Sequence, residues 1–268
     1  AVNEALRLNL KAGILAFDAT NMVGEIRQAG DTVHFPYINR IKDAEELSDG
    51  VAIDPERIDM TDSKAVLKEV GQGVRELDRE EIQIKGGAMD KIIEQLGQSM
   101  AKKIDLSLIE AMDAEAVYKV PQTDAAVVTL VELNNCIAEF GDQIDSDTFA
   151  GWLVNSRLVP SLMNMDAFVS TAKTFTTDGS GVVKNGIIGY LYNVPVYVTN
   201  NGTYDTEKNE TKTYLLKKEA LSYVMQKDIT VEEEREAKLR ATDIVTTTIM
   251  AAKLLDPKGC VILRKTIA

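Results

Sequence analysis

The side chains with the widest chemical reach are scarce in this sequence. His34 is the only histidine and Cys136 and Cys260 are the only cysteines among 268 residues. One chain therefore cannot assemble a histidine-rich metal centre, and the cysteines lack the paired spacing of a zinc site or a disulfide framework. His34 stands in the alternation Val33-His34-Phe35 that a strand produces, which gives it a structural role. The cysteines read as small buried hydrophobes. Glu45-Glu46 and Glu80-Glu81 have the residue type for acid–base chemistry, but adjacent carboxylates usually form a solvated face. Gly71-Gln72-Gly73 lacks the third glycine of a dinucleotide loop, and Gly179-Ser180-Gly181 sits in a polar stretch typical of a flexible surface loop. There is no G-x-x-x-x-G-K-[ST] phosphate loop, no H-E-x-x-H helix and no G-x-S-x-G elbow. The expectation is a chain with no catalytic, cofactor-binding or metal-binding residues and no cofactor.

Composition narrows the class further. With 45% hydrophobic and 27% charged residues, the chain can bury a real core in one large domain or two smaller ones. No apolar run approaches the roughly 20 residues of a membrane-spanning helix, and no basic-then-apolar secretory signal opens the chain; synthesis in a cytoplasm is expected. The first residue is Ala, compatible with a matured product or with part of a longer chain. A net charge of −12 argues against a protein that grips phosphates over a broad surface, because such binding draws on clustered Lys and Arg. A protein of this charge that meets nucleic acid should contain it rather than clamp it.

The elements that position these residues follow from periodicity. Leu6, Leu10, Ile14, Phe17 and Val23 have roughly helical spacing, interrupted by Gly13 and Gly24, which suggests an irregular arm lying on another body. From Gly30 the sequence turns β-rich; Pro36 marks an exposed or edge strand, because proline cannot donate to a ladder. A long hairpin is expected here, with a charged tip from Arg40 to Pro55 and a return strand from about Arg57 to Val70. Residues 88–112 carry Met89, Ile92, Ile93, Leu96, Met100, Ile104, Leu108 and Met112 at three- and four-residue intervals, a helix of about 37 Å at 1.5 Å per residue. Its length suits a spine joining two parts of an elongated subunit.

A second body begins near Thr129, which with Glu132 forms a capping box ahead of Leu130, Leu133, Ile137 and Phe140. Phe149 to Asn155 reads as a buried strand, and Ser156 as the cap of a helix bearing Leu158, Leu162 and Met165. The alternation of helix and strand signals predicts a mixed α/β core. Lys173 to Asn185 reads as a mobile loop. Gly189 to Thr199 reads as a strand, Asn200-Asn201-Gly202 as a turn, and Thr213 to Val224 as strand again. Asn201-Gly202-Thr203 and Asn209-Glu210-Thr211 match the glycosylation triplet, read here only as exposed loop. Glu232-Glu233-Glu234-Arg235-Glu236 fits either a helix, with Glu234–Lys238 and Glu236–Arg240 pairs, or an edge strand charged on both faces. The β-branched run Ile244-Val245-Thr246-Thr247-Thr248 favours strand nearby. Asp256-Pro257-Lys258-Gly259 is a turn and Cys260-Val261-Ile262-Leu263 a closing apolar strand.

The order of these parts resembles the major capsid proteins of tailed bacteriophages, of the Hong Kong 97 type. The resemblance spans nearly the whole chain. It rests on Gly30-Asp31-Thr32-Val33-His34-Phe35-Pro36, Asp43-Ala44-Glu45-Glu46-Leu47 with Gly50, and the helix segment Leu96-Gly97-Gln98-Ser99-Met100-Ala101-Lys102-Lys103-Ile104-Asp105. Further on it rests on Ile187-Ile188-Gly189-Tyr190-Leu191-Tyr192-Asn193-Val194-Pro195-Val196 and Val231-Glu232-Glu233-Glu234-Arg235. The resemblance implies an α+β fold with four parts: an N-terminal arm (1–29), an extended β-hairpin loop (30–74), a peripheral domain with the spine helix (75–120 and 226–255) and a mixed α/β axial domain (121–225 and 256–268).

The function it implies is that of a structural coat protein, not an enzyme, assembling with copies of itself as hexamers and pentamers into an icosahedral head around double-stranded DNA. A scaffold, a maturation protease, a portal and decoration proteins are the further partners implied; no membrane is. Heterologous contacts between copies close into rings and then a shell. On the extended loop Arg40, Lys42, Glu45 and Glu46 are the candidate intersubunit contacts, each pair worth at most about 1 kcal/mol if exposed. Lysine–asparagine cross-linking, known in some members, is not carried over, because no motif assigns its partners. The alternatives are an encapsulin-like bacterial compartment of the same fold and, further away, a small-molecule enzyme with a site built from scattered acids and the 173–185 loop.

Overall fold

A computed structural model of the chain describes residues 15–18, 32–38, 55, 57, 60–79, 88–123, 127–142, 148–165, 168, 187–218 and 220–266. In chain order the first elements are β1 (Leu15–Asp18), β2 (Thr32–Ile38), β3 (Met60–Val66), β4 (Lys68–Leu77), helix α1 (Ala88–Glu115) and β5 (Tyr118–Thr123). There follow α2 (Leu130–Ala138), β6 (Phe149–Val154), α3 (Val159–Met163), β7 (Ile187–Leu191), β8 (Val194–Val198) and β9 (Tyr204–Asp205). The chain ends through β10 (Glu210–Lys217), β11 (Leu221–Glu236), β12 (Ala241–Leu254) and β13 (Cys260–Thr266). Among the described residues these strands form a four-stranded sheet in the order β1-β11-β12-β4, a seven-stranded sheet in the order β5-β13-β10-β6-β8-β7 with β9 beside β10, and the two-stranded ribbon β2-β3.

The centre of the seven-stranded sheet, β6, β10 and β13, is buried on both faces. Trp152 and Val154 of β6, Leu215 of β10 and Val261 and Leu263 of β13 point into one apolar cluster under α2, with Leu133, Cys136 and Phe140. Their sequence neighbours Ala150, Tyr214, Leu216, Cys260 and Ile262 point into a second cluster with Ile104, Leu108, Ile109 and Met112 of α1. Side chains alternate between faces along a strand, so a sheet covered on both sides needs apolar residues at consecutive positions. That is why β6 and the start of β13 read as unbroken apolar runs. The second cluster also takes in Leu221 of β11 and Met250 and Leu254 of β12, so the C-terminal half of α1 is shared by both sheets. The two cysteines are buried and free, as their surroundings in the sequence suggest.

The spine helix runs to Glu115, three residues beyond the periodic stretch, and its 28 residues make a rod of about 42 Å. On β12, Ile244, Thr246, Thr248 and Met250 are buried while Val245 is exposed, the period of two expected of a half-buried strand. Buried hydroxyls require partners. Thr246 Oγ1 donates to the Gln72 carbonyl of β4 at 3.1 Å and Thr248 Oγ1 to the Lys227 carbonyl of β11 at 2.8 Å.

Several local expectations are corrected. Within the arm read as irregular, residues 15–18 form a regular strand parallel to β11, Leu15 opposite Ser222. The return strand of the hairpin stops at Val66; after Leu67 the chain enters β4, which pairs with β12. The break is set by packing: Val33 and Ala65, opposite one another at the hairpin root, are buried against Val224 and Ala251 of the four-stranded sheet. Asn155, not Ser156, caps the turn before α3. Its backbone is extended and its Oδ1 accepts from Arg157 N–H at 3.0 Å, while Ser156 already lies inside the turn.

The stretch Gly189 to Thr199 is a hairpin, not one strand, because Tyr192 and Asn193 have φ of 51° and 64°, the left-handed pair that a two-residue turn between twisted strands demands. Residues 213–224 divide between β10 and β11, which belong to different sheets. The acidic run 232–236 is strand, the end of β11. Nor is either glycosylation triplet an exposed loop: Glu210 and Thr211 of the second are buried at the start of β10. Thr203 is fully buried, bonded to Asn155 Nδ2 at 2.8 Å, and a Cβ on Gly202, at φ +65°, would stand 3.0 Å from Ile109 Cγ2. The candidate loop 173–185 lies outside the described residues.

Candidate intersubunit surfaces

The hairpin that carries the sequence candidates is fixed at its root. Its pairing runs from Thr32 opposite Val66 to Ile38 opposite Met60, with His34 opposite Lys64, and Arg40, Lys42, Glu45 and Glu46 fall in the connection between these strands. Those four residues lie outside the described residues.

The end of the β11–β12 hairpin presents charge at described positions. Every residue from Val231 to Arg240 is exposed. Two forked ion pairs lie there. Arg75 donates from Nε and Nη2 to the two oxygens of Asp243, both at 2.6 Å, and Arg235 reaches Asp78 at 2.5 and 2.7 Å. Each guanidinium, mainly through its hydrogen bonds, holds its carboxyl below the usual aspartate range. Bidentate geometry orients β4 against β12 and β11 without much energy, since solvent screens exposed pairs.

On α1 three carboxylates make three different attachments. Asp113 takes Lys212 Nζ at 2.5 Å and the Tyr214 hydroxyl at 2.9 Å, both from β10. Glu115 takes Lys253 Nζ at 2.5 Å and the Leu254 N–H at 3.2 Å, both from β12. An acid at a helix C-terminus is unfavourable toward the helix dipole, and Lys253 offsets it. Asp105 accepts from Asn201 Nδ2 at 3.1 Å and is otherwise desolvated; burial pushes its carboxyl up to about 6.

The capping box of α2 does more than start the helix. Glu132 binds the Thr129 N–H at 2.9 Å through Oε2 and the Nζ of Lys265 through Oε1; Lys265 is buried in β13. The only charged side chain of α2 is thus turned inward, and the helix presents Val131, Asn134, Asn135 and Ala138 outward. Between the C-terminal end of α2 and the β7–β8 turn lies an open pocket of about 620 Å³ lined chiefly by Ile137, Ala138, Phe149, Tyr192 and Val194. The sequence reading missed this feature, which draws on three separate segments. Its one local signal is that residues 127–138 contain a single charged residue, Glu132, in a chain that is 27% charged.

The sequence agrees with what this architecture suggests. Residues 63–263 match the model of the family described as phage capsid protein. The chain belongs to that family. A major capsid protein of Staphylococcus phage phiMR11 is 24% identical over 240 residues, covering 89% of this chain and 82% of the relative. Among solved structures, a chain from the capsid of a native GTA particle superposes with a TM-score of 0.69 at 9% identity, over 97% of this chain and 90% of that one. A chain from Mycobacterium phage Che8 gives 0.68 at 16%, over 89% and 86%. The fold is the Hong Kong 97 type of phage capsids, and the phage coat function is favoured over the bacterial compartment. The phage capsid chain is a structural coat component of a virion that associates with itself to form a shell. Among the described residues no helix is long and apolar enough to cross a membrane, and no three His, Cys, Asp or Glu side chains gather as a metal site.

Proposed function

We propose that copies of this chain gather as hexamers and pentamers, which close into an icosahedral head around double-stranded DNA. The division of labour follows the four parts: arm 1–29, extended loop 30–74, peripheral domain 75–120 with 226–255, and axial domain 121–225 with 256–268. The observation that carries this reading is that one helix, α1, packs against both sheets; such a subunit can present one body to a ring axis and the other to a neighbouring ring. The ribbon β2-β3 (residues 32–38 and 60–66) and its charged connection serve as the reaching element. Arg40, Lys42, Glu45 and Glu46 form ion pairs on an adjacent copy, individually weak and repeated around the shell.

The chain performs no catalysis in this role. It encloses DNA without reading its sequence, as its net charge of −12 favours. A scaffold, a maturation protease, a portal and decoration proteins act with it during assembly in the host cytoplasm. Light scattering and electron microscopy of the purified chain, alone and with a co-expressed scaffold, test the reading: closed particles of megadalton mass are expected. A species of one chain's mass across salt and concentration overturns it. Exchanging Arg40 and Lys42 for Glu should lower particle yield and leave folding of the chain intact.

A further inference from the structure

Resting on the shell reading above, we propose that the open edge of β4 pairs antiparallel with the same edge of a second copy of this chain, about a twofold axis at Gln72.

The edge is long and unguarded. β4 ends the four-stranded sheet on one side, and among the described residues no strand pairs with its outer edge. Its 10 residues hold no proline and run against β12 without a register shift, an edge of about 33 Å at 3.3 Å per residue. The other outer strands of the two larger sheets are blunted: β1 and β7 span 4 and 5 residues, and Pro121 interrupts β5. Natural sheets shorten, bend or interrupt an edge that must stay unpaired. Just past β4, the Asp78 N–H donates to the Arg240 carbonyl across from it. Backbone groups alternate sides along an antiparallel strand, so the N–H and C=O groups of Glu69, Gly71, Gly73 and Arg75 point outward. All four residues are exposed.

The occupant is written in the strand itself. Lys68-Glu69-Val70-Gly71-Gln72-Gly73-Val74-Arg75-Glu76 is symmetric in side-chain size and complementary in charge about Gln72. Laid antiparallel on a second copy with Gln72 opposite Gln72, it sets Gly71 opposite Gly73, Val70 opposite Val74, Glu69 opposite Arg75 and Lys68 opposite Glu76. Every charge then meets its opposite, twice over by symmetry. A shift of two residues, the smallest that keeps the faces matched, undoes this. In one direction Lys68 faces Val74 and Glu69 faces Gly73; in the other Glu69 faces Leu77 and Glu76 faces Val70. The receiving groups are unsaturated. Arg75 spends two of its five N–H donors on Asp243. Glu76 is buried, with Oε1 lacking a hydrogen-bond partner, a costly arrangement that the second copy's Lys68 relieves. An icosahedral shell contains twofold axes, and a self-paired edge is an isologous contact that lies on one.

Gln72→Cys reads the register, because the new thiol faces its own copy across the axis within disulfide reach. Cys136 and Cys260 are buried and do not compete. Assembled Q72C chains under mild oxidation should yield covalent dimers. Leu77→Cys is the control: Leu77 is 40% exposed, but in this register it lies about 34 Å along the strands from its symmetry mate and should not link. Adding Glu69→Lys or Gly73→Pro to the Q72C chain should cut linking about tenfold, the first by setting like charges opposite, the second by removing an outward N–H while sparing the β12 ladder. The emission of Trp152, the only tryptophan and a core residue remote from solvent, should stay native and so report intact folding. Equal linking at 72 and 77, or linking at 72 that neither added substitution lowers, overturns the pairing. Shells that form with no link at 72 place another strand on this edge and overturn it too, while leaving the shell reading standing. Failure of the unaltered chain to associate at all removes both.

Discussion

Along β6, β10 and β13 both faces of the sheet are covered, by α2 on one side and α1 on the other, whereas β11 from Val231 to Glu236 and the turn that follows are exposed at every residue. In the first region specificity comes from apolar packing plus one buried Lys265–Glu132 pair. In the second it comes from forked arginine–carboxylate pairs open to solvent. The contrast separates what keeps one subunit folded from what it shows to others, and it predicts that substitutions in the two regions will move different measurements.

The largest effect should follow Lys265→Ala, which strands Glu132 without its cation and leaves a void beside β13. Loss of about 3–5 kcal/mol is expected, read from urea unfolding followed by Trp152 fluorescence. A loss below about 1 kcal/mol would mean that the pair is solvated and the comparison overdrawn. Leu215→Ala, in the cluster under α2, should cost about 2–5 kcal/mol, while Val245→Ala on the exposed face of β12 should stay within about 0.5 kcal/mol. Equal costs would erase the distinction between the sheets.

A smaller effect sharpens the comparison at the boundary, where the turn at 199–203 meets α1. Burial raises the Asp105 carboxyl to about 6. A raised acid binds its proton more tightly in the folded chain, so its stabilising contribution is complete below about pH 4 and is lost as pH rises through about 6. Asp105→Asn keeps an acceptor for Asn201 and removes the charge. The variant should therefore gain about 1 kcal/mol over the unaltered chain above pH 7, after discounting for partial exposure, and the gain should vanish near pH 4. A pH-independent difference in urea midpoint would refute the burial argument. Smallest of all, Arg75→Ala should leave the urea midpoint of the isolated subunit unmoved, since Asp243 returns to water when its partner goes.

Much of the cores was legible in the sequence. The spacing from Leu96 to Met112 specified α1, Thr129 with Glu132 specified the start of α2, and consecutive apolar residues in β6 and β13 signalled strands buried on both sides. The order of these segments, more than any motif, pointed to the capsid family. What resisted reading was context set by distant partners. A tyrosine is an unusual residue at positive φ, so the turn at Tyr192-Asn193 was hidden inside an apparently continuous strand. Residues 213–224 are β-like throughout, and only the two sheets decide where the chain crosses between them. The pocket beside α2 joins three segments, and no local pattern announces it.

The placement of β11, β12 and β13 also governs when the protein can fold. Each of these late strands sits inside its sheet rather than at an edge: β11 and β12 between β1 and β4, β13 between β5 and β10. A nascent chain therefore holds β1, β4 and β5 with open edges until the C-terminal strands have left the ribosome. Pairings this distant in sequence form slowly and leave aggregation-prone edges exposed in the meantime. Closure of both sheets should wait for these strands, and a truncation ahead of Cys260 should remove the strand that joins β5 to the rest of its sheet.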